Sequence, residues 1–328
     1  MFINYKLRFT ITFLLRSLLI FSFNLKAQKL KLVTGLSNTE NNKTVLNEHK
    51  FITNTLVEGP FVNTLFRLSA GVGTSSNYDL PLNINGKTVN GLYGQMTYGV
   101  LNVKYQQNIK DWLAFSVSAD MIGRLGSQTI SLITEGVNLG MSYQFGWIFK
   151  AYESKKVMLS ASLSISNQSV TVFNMFDFIK KIIENGGIAR ENKLVKTTNI
   201  TAGTAGFKFA YALNRTFGCI GKLNLGYGES LSSVNKGYFD GGVSFDADLN
   251  SRLSIPVGFA LGYDWNNFSQ TDVSLSNPQN IIFKINYTGR KDFDLGVEMN
   301  AQFFKLSTLN QNINLEVLFI KADIAYNF

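Results

Sequence analysis

The chain has 328 residues, of which 45% are hydrophobic, 13% aromatic and only 16% charged, with 28 glycines and four prolines. Mean hydropathy lies just above zero, yet past the N-terminus no apolar run approaches the roughly 18 residues that a transmembrane helix needs, which excludes a helical membrane protein. High aromatic and low charged content exclude a disordered chain, and a single cysteine, Cys219, with a single histidine, His49, excludes disulfide frameworks, cysteine metal sites and two-histidine chemistry.

Residues 1–27 carry Lys6 and Arg8, then the mostly apolar run from Phe9 to Phe23, then a short stretch ending at Ala27. This is the pattern of a secretory signal peptide with cleavage after Ala27, against the alternative of a retained anchor helix. The formal charge of +9 falls to +5 once Lys6, Arg8, Arg16 and Lys26 leave with it. No basic cluster remains that points to nucleic acid. Residues 28–60 are polar and Asn-rich, and three readings stay open for them: a disordered lead, a plug, or two extra strands near Leu30–Leu36 and Phe51–Val57.

From Phe61 onward apolar and polar or small residues alternate, the signature of strands whose side chains point to opposite faces. In Val137 to Lys150 one face carries Val137, Leu139, Met141, Tyr143, Phe145 and Trp147, the other Asn138, Gly140, Ser142, Gln144 and Gly146. This template predicts twelve strands over 61–73, 91–107, 111–124, 137–150, 157–169, 199–214, 216–228, 239–249, 252–264, 281–289, 292–305 and 313–328. Each is long enough to cross a bilayer at a tilt. Pro256 falls inside one of them and cannot donate to a ladder, so a bulge or break is predicted there.

The predicted connections alternate long and short along the whole chain. A soluble sandwich has no reason to gather its long loops at one end, whereas outer-membrane barrels have short periplasmic turns and long outer loops. Aromatics fall near strand ends, with Tyr105, Trp112, Trp147, Tyr211, Phe217, Phe293 and Phe328 towards the short turns and Tyr93, Tyr227, Tyr263 and Trp265 towards the long loops, as interface girdles require.

In the last strand Leu318, Ile320, Ala322, Ile324, Tyr326 and the terminal Phe328 alternate with Phe319, Lys321, Asp323, Ala325 and Asn327. Phe319 departs from strict alternation. This segment resembles the C-terminal β-signal of bacterial outer-membrane β-barrel proteins. The resemblance implies an all-β, transmembrane, antiparallel up-and-down barrel over 61–328, with about twelve strands or fourteen if the lead adds two. It also implies insertion by the barrel assembly machinery through the C-terminal strand, outer-membrane lipid as the surrounding partner, and a bacterial outer-membrane location.

Lumen-facing charges are the first functional candidates: Arg67, Lys104, Asp120, Lys208, Lys222, Asp246, Lys284, Glu298, Lys321 and Asp323. They read either as a satisfied interior ladder or as a selectivity lining. Hairpin register predicts Glu298 beside Lys321 and close to Lys284, and Lys222 opposite Asp246. Asp246 and Asp248 form a weak cation signal without further oxygen ligands, so no metal site and no cofactor is expected. In the longest loop Phe176, Ile179, Ile182 and Ile183 share one face at helical spacing and suggest a helix that gates the mouth, lies at the interface, or packs on neighbouring loops. No strand offers a histidine base beside a nucleophile, so no catalytic residue is expected and the chain does not read as an enzyme. The expected function is a passive channel or carrier for small solutes; the alternative is a non-conducting structural or assembly partner in an outer-membrane secretion or surface complex.

Overall fold

The computed structural model describes residues 44–84, 87–125, 136–173, 195–229, 235–266, 274–275, 278–307 and 312–328. In chain order its strands are β1 (Leu65–Ser75), β2 (Tyr78–Ile84), β3 (Lys87–Gly94), β4 (Thr97–Lys110), β5 (Leu113–Leu125), β6 (Gly136–Glu153), β7 (Val157–Phe173), β8 (Val195–Ala212), β9 (Phe217–Glu229), β10 (Asn235–Asp248), β11 (Val257–Asn266), β12 (Ser274–Leu275), β13 (Gln279–Tyr287), β14 (Phe293–Ser307) and β15 (Asn312–Asn327). Two single-turn helices, α1 (Val45–Glu48) and α2 (Asn250–Leu253), accompany them.

Twelve of these strands, all but β2, β3 and β12, pair antiparallel in sequence order. β1 closes the circle against β15, with Leu65 opposite Asn327 and Ser75 opposite Val317. Closure leaves no open edge, so every strand has two neighbours and the backbone is satisfied without water. β2 and β3 form a separate hairpin between β1 and β4, and β12 adds two residues to the far end of β14.

Side chains alternate across this wall. β13 alternates exposed and buried at every position from Gln279 to Tyr287. Phe207, Leu225, Ile165, Phe245 and Leu261 stand on the outside at 57–67% exposure, while Arg67, Lys284, Glu298, Lys321 and Asp323 are buried on the inside. An apolar belt of this extent is untenable in water and natural in hydrocarbon. Trp112, Trp147, Phe217 and Phe328 are exposed towards the short-turn end, and Tyr227, Tyr263 and Trp265 towards the other; the side chain of Tyr93 lies outside the described residues.

Each barrel strand overlaps its predicted range, and the differences have local causes. Residues 91–94 belong to the β2–β3 hairpin, so β4 starts at Thr97. Residues 61–64 turn inward, where Phe61 packs on Phe51 with ring centroids 5.2 Å apart, so β1 starts at Leu65. β11 starts only after Pro256: the ring removes the donor a ladder needs, and Ser254 just before it adopts a left-handed φ of 56°. The strict alternation of connection lengths fails as a result. The β10–β11 turn covers 249–256, longer than the β9–β10 and β14–β15 connections, 230–234 and 308–311, on the opposite end.

Residues 44–64 occupy the inside of the barrel. At the short-turn end the Leu46 amide donates to the Lys155 carbonyl at 3.0 Å, and Arg215 meets Glu48 at 2.6 Å. The chain then rises between the strands and returns, so that the Asn108 side chain donates to the Val62 carbonyl at 2.7 Å and the Gln106 side chain to the Phe61 carbonyl at 2.8 Å. Phe51–Val57 forms no strand. The ladder is complete without it, and Ile52, Asn54 and Val57 are buried inside. The barrel therefore has twelve strands, not fourteen; Leu30–Leu36 and the signal-peptide residues lie outside the described residues.

Candidate functional site

The inner segment and the lumen wall are joined by ion pairs and hydrogen bonds at successive points. At the short-turn end His49 is buried, its Nδ1 3.0 Å from the Arg215 carbonyl and its Nε2 2.6 Å from Asp246 Oδ1. A carbonyl and a carboxylate both only accept, so the geometry assigns a proton to each ring nitrogen and an imidazolium to His49. Burial pulls its pKa down, but the hydrogen bond and charge of Asp246 outweigh burial and raise it above the usual 6.5. Neither nitrogen is left to serve a nucleophile. Beside it Lys50 lies 2.9 Å from Asp294 and donates to the Phe293 carbonyl at 2.9 Å and to the Arg290 carbonyl.

One level higher, Lys284 bonds Asp323 and, at 2.8 Å, the Thr53 carbonyl. Arg67 donates to the Asn54 carbonyl at 3.0 Å, and its Nε lies 3.6 Å from Asp323. Glu298, fully buried, accepts from the Thr55 amide at 2.8 Å and the Thr55 hydroxyl and pairs with Lys321 at 2.6 Å. The predicted register holds here: Glu298 stands opposite both Lys321 and Lys284.

Beside this level, where Lys104 stands opposite Arg67 in the ladder, Glu58 bridges two strands. One carboxylate oxygen meets Lys104 of β4 and the other lies 2.6 Å from Lys208 of β8. Burial pushes the Glu58 carboxyl up, but the two ammonium groups outweigh it and hold the group well below the usual 4.5. Across the lumen Lys222 lies 2.9 Å from Asp240 and 2.8 Å from Asp264. The predicted Lys222–Asp246 opposition is not formed. Lys222 faces Gly242 in the ladder and Asp246 faces Gly218, because β10 starts at Asn235 and not at 239, and Asp246 goes to His49. Asp120 accepts from Asn102 at 2.7 Å. Asp248 caps the Asn250 amide at 3.0 Å, so the pair Asp246 and Asp248 is engaged by protein groups. Among the described residues no cluster of three or more metal-ligating side chains occurs.

Glycines on the lumen face admit the segment. A Cβ on Gly242 would lie 2.9 Å from the Val57 side chain and one on Gly262 3.1 Å from Asn54; one on Gly218 would meet His49 and one on Gly258 would meet Ile52. The apolar side of the segment, with Leu46 and Val57, closes the short-turn half against Met158, Ala210, Ala212, Ile220 and Ile282. Phe319 also turns inward, to a buried group with Met96, Tyr98 and Val317, over Gly73, whose missing side chain leaves it room.

Among the described residues, cavities remain beside the segment. One of about 230 Å³ lies against Ser116, Ser118, Gln144, Ser162, Ser164 and Thr204. Another, about 300 Å³, lies nearer the short-turn end against His49, Lys50, Phe61, Gln106 and Asp294.

Sequence reasoning placed Arg67, Lys104, Lys208, Lys222, Asp246, Lys284, Glu298, Lys321 and Asp323 on one inner face; the structure brings all of these but Lys222 and Asp323, which pair within the wall, onto a chain segment that sequence left open. It missed His49, Lys50, Thr53, Thr55 and Glu58 as partners. The available signals were apolar residues in a polar lead, Phe51, Ile52 and Val57, and the lumen-parity glycines of β9 to β11. The predicted loop helix with Phe176, Ile179, Ile182 and Ile183 lies outside the described residues.

Fold and site together define a transmembrane β-barrel of the outer-membrane type whose lumen is occupied by a segment of its own chain. No protein-family model matches the chain, and no curated protein matches it in sequence. Solved structures it is similar to include the NanC porin (9% identity, 80% of this chain and 100% of that one, TM-score 0.45) and a FadL homologue from Pseudomonas aeruginosa (10%, 81% and 90%, 0.41). Another is the translocator domain of the autotransporter NalP from Neisseria meningitidis (10%, 94% and 96%, 0.44). At these identities and TM-scores the activity has to be argued from the lumen itself.

Proposed function

We propose that the chain is exported, inserted into the bacterial outer membrane through its C-terminal strand by the barrel assembly machinery, and serves there as a channel or carrier for small solutes. Residues 44–64 act as its plug. The observation that carries this reading is the hydroxyl- and amide-lined cavity of about 230 Å³ beside the plug. A barrel built only as a scaffold has no need to keep polar space open inside, because buried polar groups cost free energy unless they are satisfied. The plug is tied to the wall by ion pairs and hydrogen bonds and not by a strand ladder. Lumen charges, from Arg67 to Asp323 around the circle, then serve two ends, holding the plug and lining the route.

Planar-bilayer recording of the folded mature protein tests this. Steady open steps or solute-dependent flux are expected. Silence under all conditions, with the barrel shown folded by its heat-modifiable electrophoretic mobility, supports instead the non-conducting partner of a secretion or surface complex.

A further inference from the structure

The two cavities share Glu58, Arg67 and Lys104 in their walls. We propose that the Glu58 bridge between Lys104 and Lys208 is the constriction between an outer chamber and a periplasmic vestibule, and that the permeant class is a small hydroxylated organic anion whose carboxylate takes the place of Glu58 on the two lysines. The inference rests on the channel reading and gives it a route and a substrate class.

The argument starts from position. The serine-lined chamber of about 230 Å³ lies on one side of the bridge and the vestibule of about 300 Å³ on the other. The segment is held elsewhere by lumen glycines, apolar contacts and further ion pairs, but Glu58 is its one residue that lines both cavities. Glu58 is therefore the polar partition, and it belongs to the segment, which has no ladder to hold its backbone, whereas both lysines belong to the rigid wall.

The chemistry of the bridge follows. Glu58 gives one carboxylate oxygen to each ammonium, a geometry that any other carboxylate reproduces atom for atom. Lys208 also stands opposite Lys222 in the β8–β9 ladder. Lys222 is answered by Asp240 and Asp264, and Arg67 by Asp323, so Lys104 and Lys208 depend on Glu58. When Glu58 swings away, two unanswered positive charges face the path, and an anion is attracted where a cation is repelled.

The chamber sets the rest of the ligand. Its wall on β5 to β8 presents hydroxyls and an amide, Ser116, Ser118, Gln144, Ser162, Ser164 and Thr204, as partners for the hydroxyls of a solute, beside the apolar Leu56 and Ile148. The volume of about 230 Å³ equals roughly eight waters at about 30 Å³ each, room for a six-carbon hydroxy acid.

The experiment compares wild type, Glu58→Gln and Lys208→Met as full mature chains, each shown folded by heat-modifiable mobility, in potassium chloride bilayers and in liposomes with sodium gluconate or sorbitol. Expected are anion over cation preference in the reversal potential and gluconate flux at least five-fold above sorbitol in wild type. Glu58→Gln is expected to raise conductance about ten-fold and keep the anion preference, and Lys208→Met to bring the gluconate to sorbitol ratio below two. Cation preference, equal gluconate and sorbitol flux in wild type, or an unchanged ratio in Lys208→Met overturns the inference and leaves the channel reading standing. Absence of any flux or conductance in all three folded proteins overturns both.

Discussion

Removing the charge of Glu298 tests whether the paired charges of the wall hold the segment in the lumen. Glu298 is fully buried, accepts from the Thr55 amide at 2.8 Å and its hydroxyl, and faces Lys321 at 2.6 Å. Glutamine preserves the shape but replaces one acceptor oxygen with a donor amide, so a donor faces either Thr55 or the Lys321 ammonium. Lys321, whose side chain is only 7% exposed, then lacks its counterion. Breaking a buried pair from one side costs about 3–5 kcal/mol, and the remaining Thr55 contacts place Glu298→Gln near the lower end, at about 3 kcal/mol, a factor of roughly 150 in the folding equilibrium. The double variant Glu298→Gln with Lys321→Met removes both charges and is expected to recover about 2 kcal/mol, the coupling a cycle reads for interacting sites. Urea titration of folding into phospholipid vesicles, followed by tryptophan fluorescence, measures all three. A single variant within 0.5 kcal/mol of wild type, or a double variant no better than the single, refutes the reasoning.

Three further outcomes follow from the same geometry. Gly258→Val places branched carbons where Ile52 sits and is expected to weaken docking of the segment by about 1–3 kcal/mol, seen as faster proteolysis within residues 44–64 while the barrel keeps its heat-modifiable mobility; an unchanged cleavage rate counts against the fit. The His49 contact with Asp246 and the Arg215 carbonyl raises the His49 pKa, so its stabilisation is complete below 6.5 and is lost as pH rises through the raised value. Stability of the docked segment should therefore fall between mildly acidic and alkaline pH in wild type, more weakly in His49→Gln, and equal slopes would show that His49 does not titrate in the lumen. Leu261→Arg on the outer face of β11 should lower folding stability in vesicles by about 2–4 kcal/mol, and a neutral result would mean that this face does not meet hydrocarbon.

The amino-acid sequence by itself determined the barrel. Period-two alternation is local information, because the two faces of a strand are set by neighbouring residues along the chain, and so the twelve strands and the inward parity of Lys284, Glu298 and Lys321 were legible one strand at a time. Register was legible for Glu298 with Lys321 and was lost where a strand boundary was misplaced: β10 begins at Asn235 and not at 239, so Lys222 met Asp240 and Asp264 instead of Asp246, and the Ser254 to Pro256 break moved the start of β11. Only the tertiary structure decided what fills the lumen. Residues 44–64 carry no periodicity, since they follow the irregular surface of the barrel interior and not a repeating ladder. Their partners, Asp246 for His49, Glu298 for Thr55, and Lys104 and Lys208 for Glu58, lie 46 to 243 residues away in the chain. Such contacts exist only once the cylinder has closed, which is why the inner face was readable as a set of charges and the groups that answer them were not.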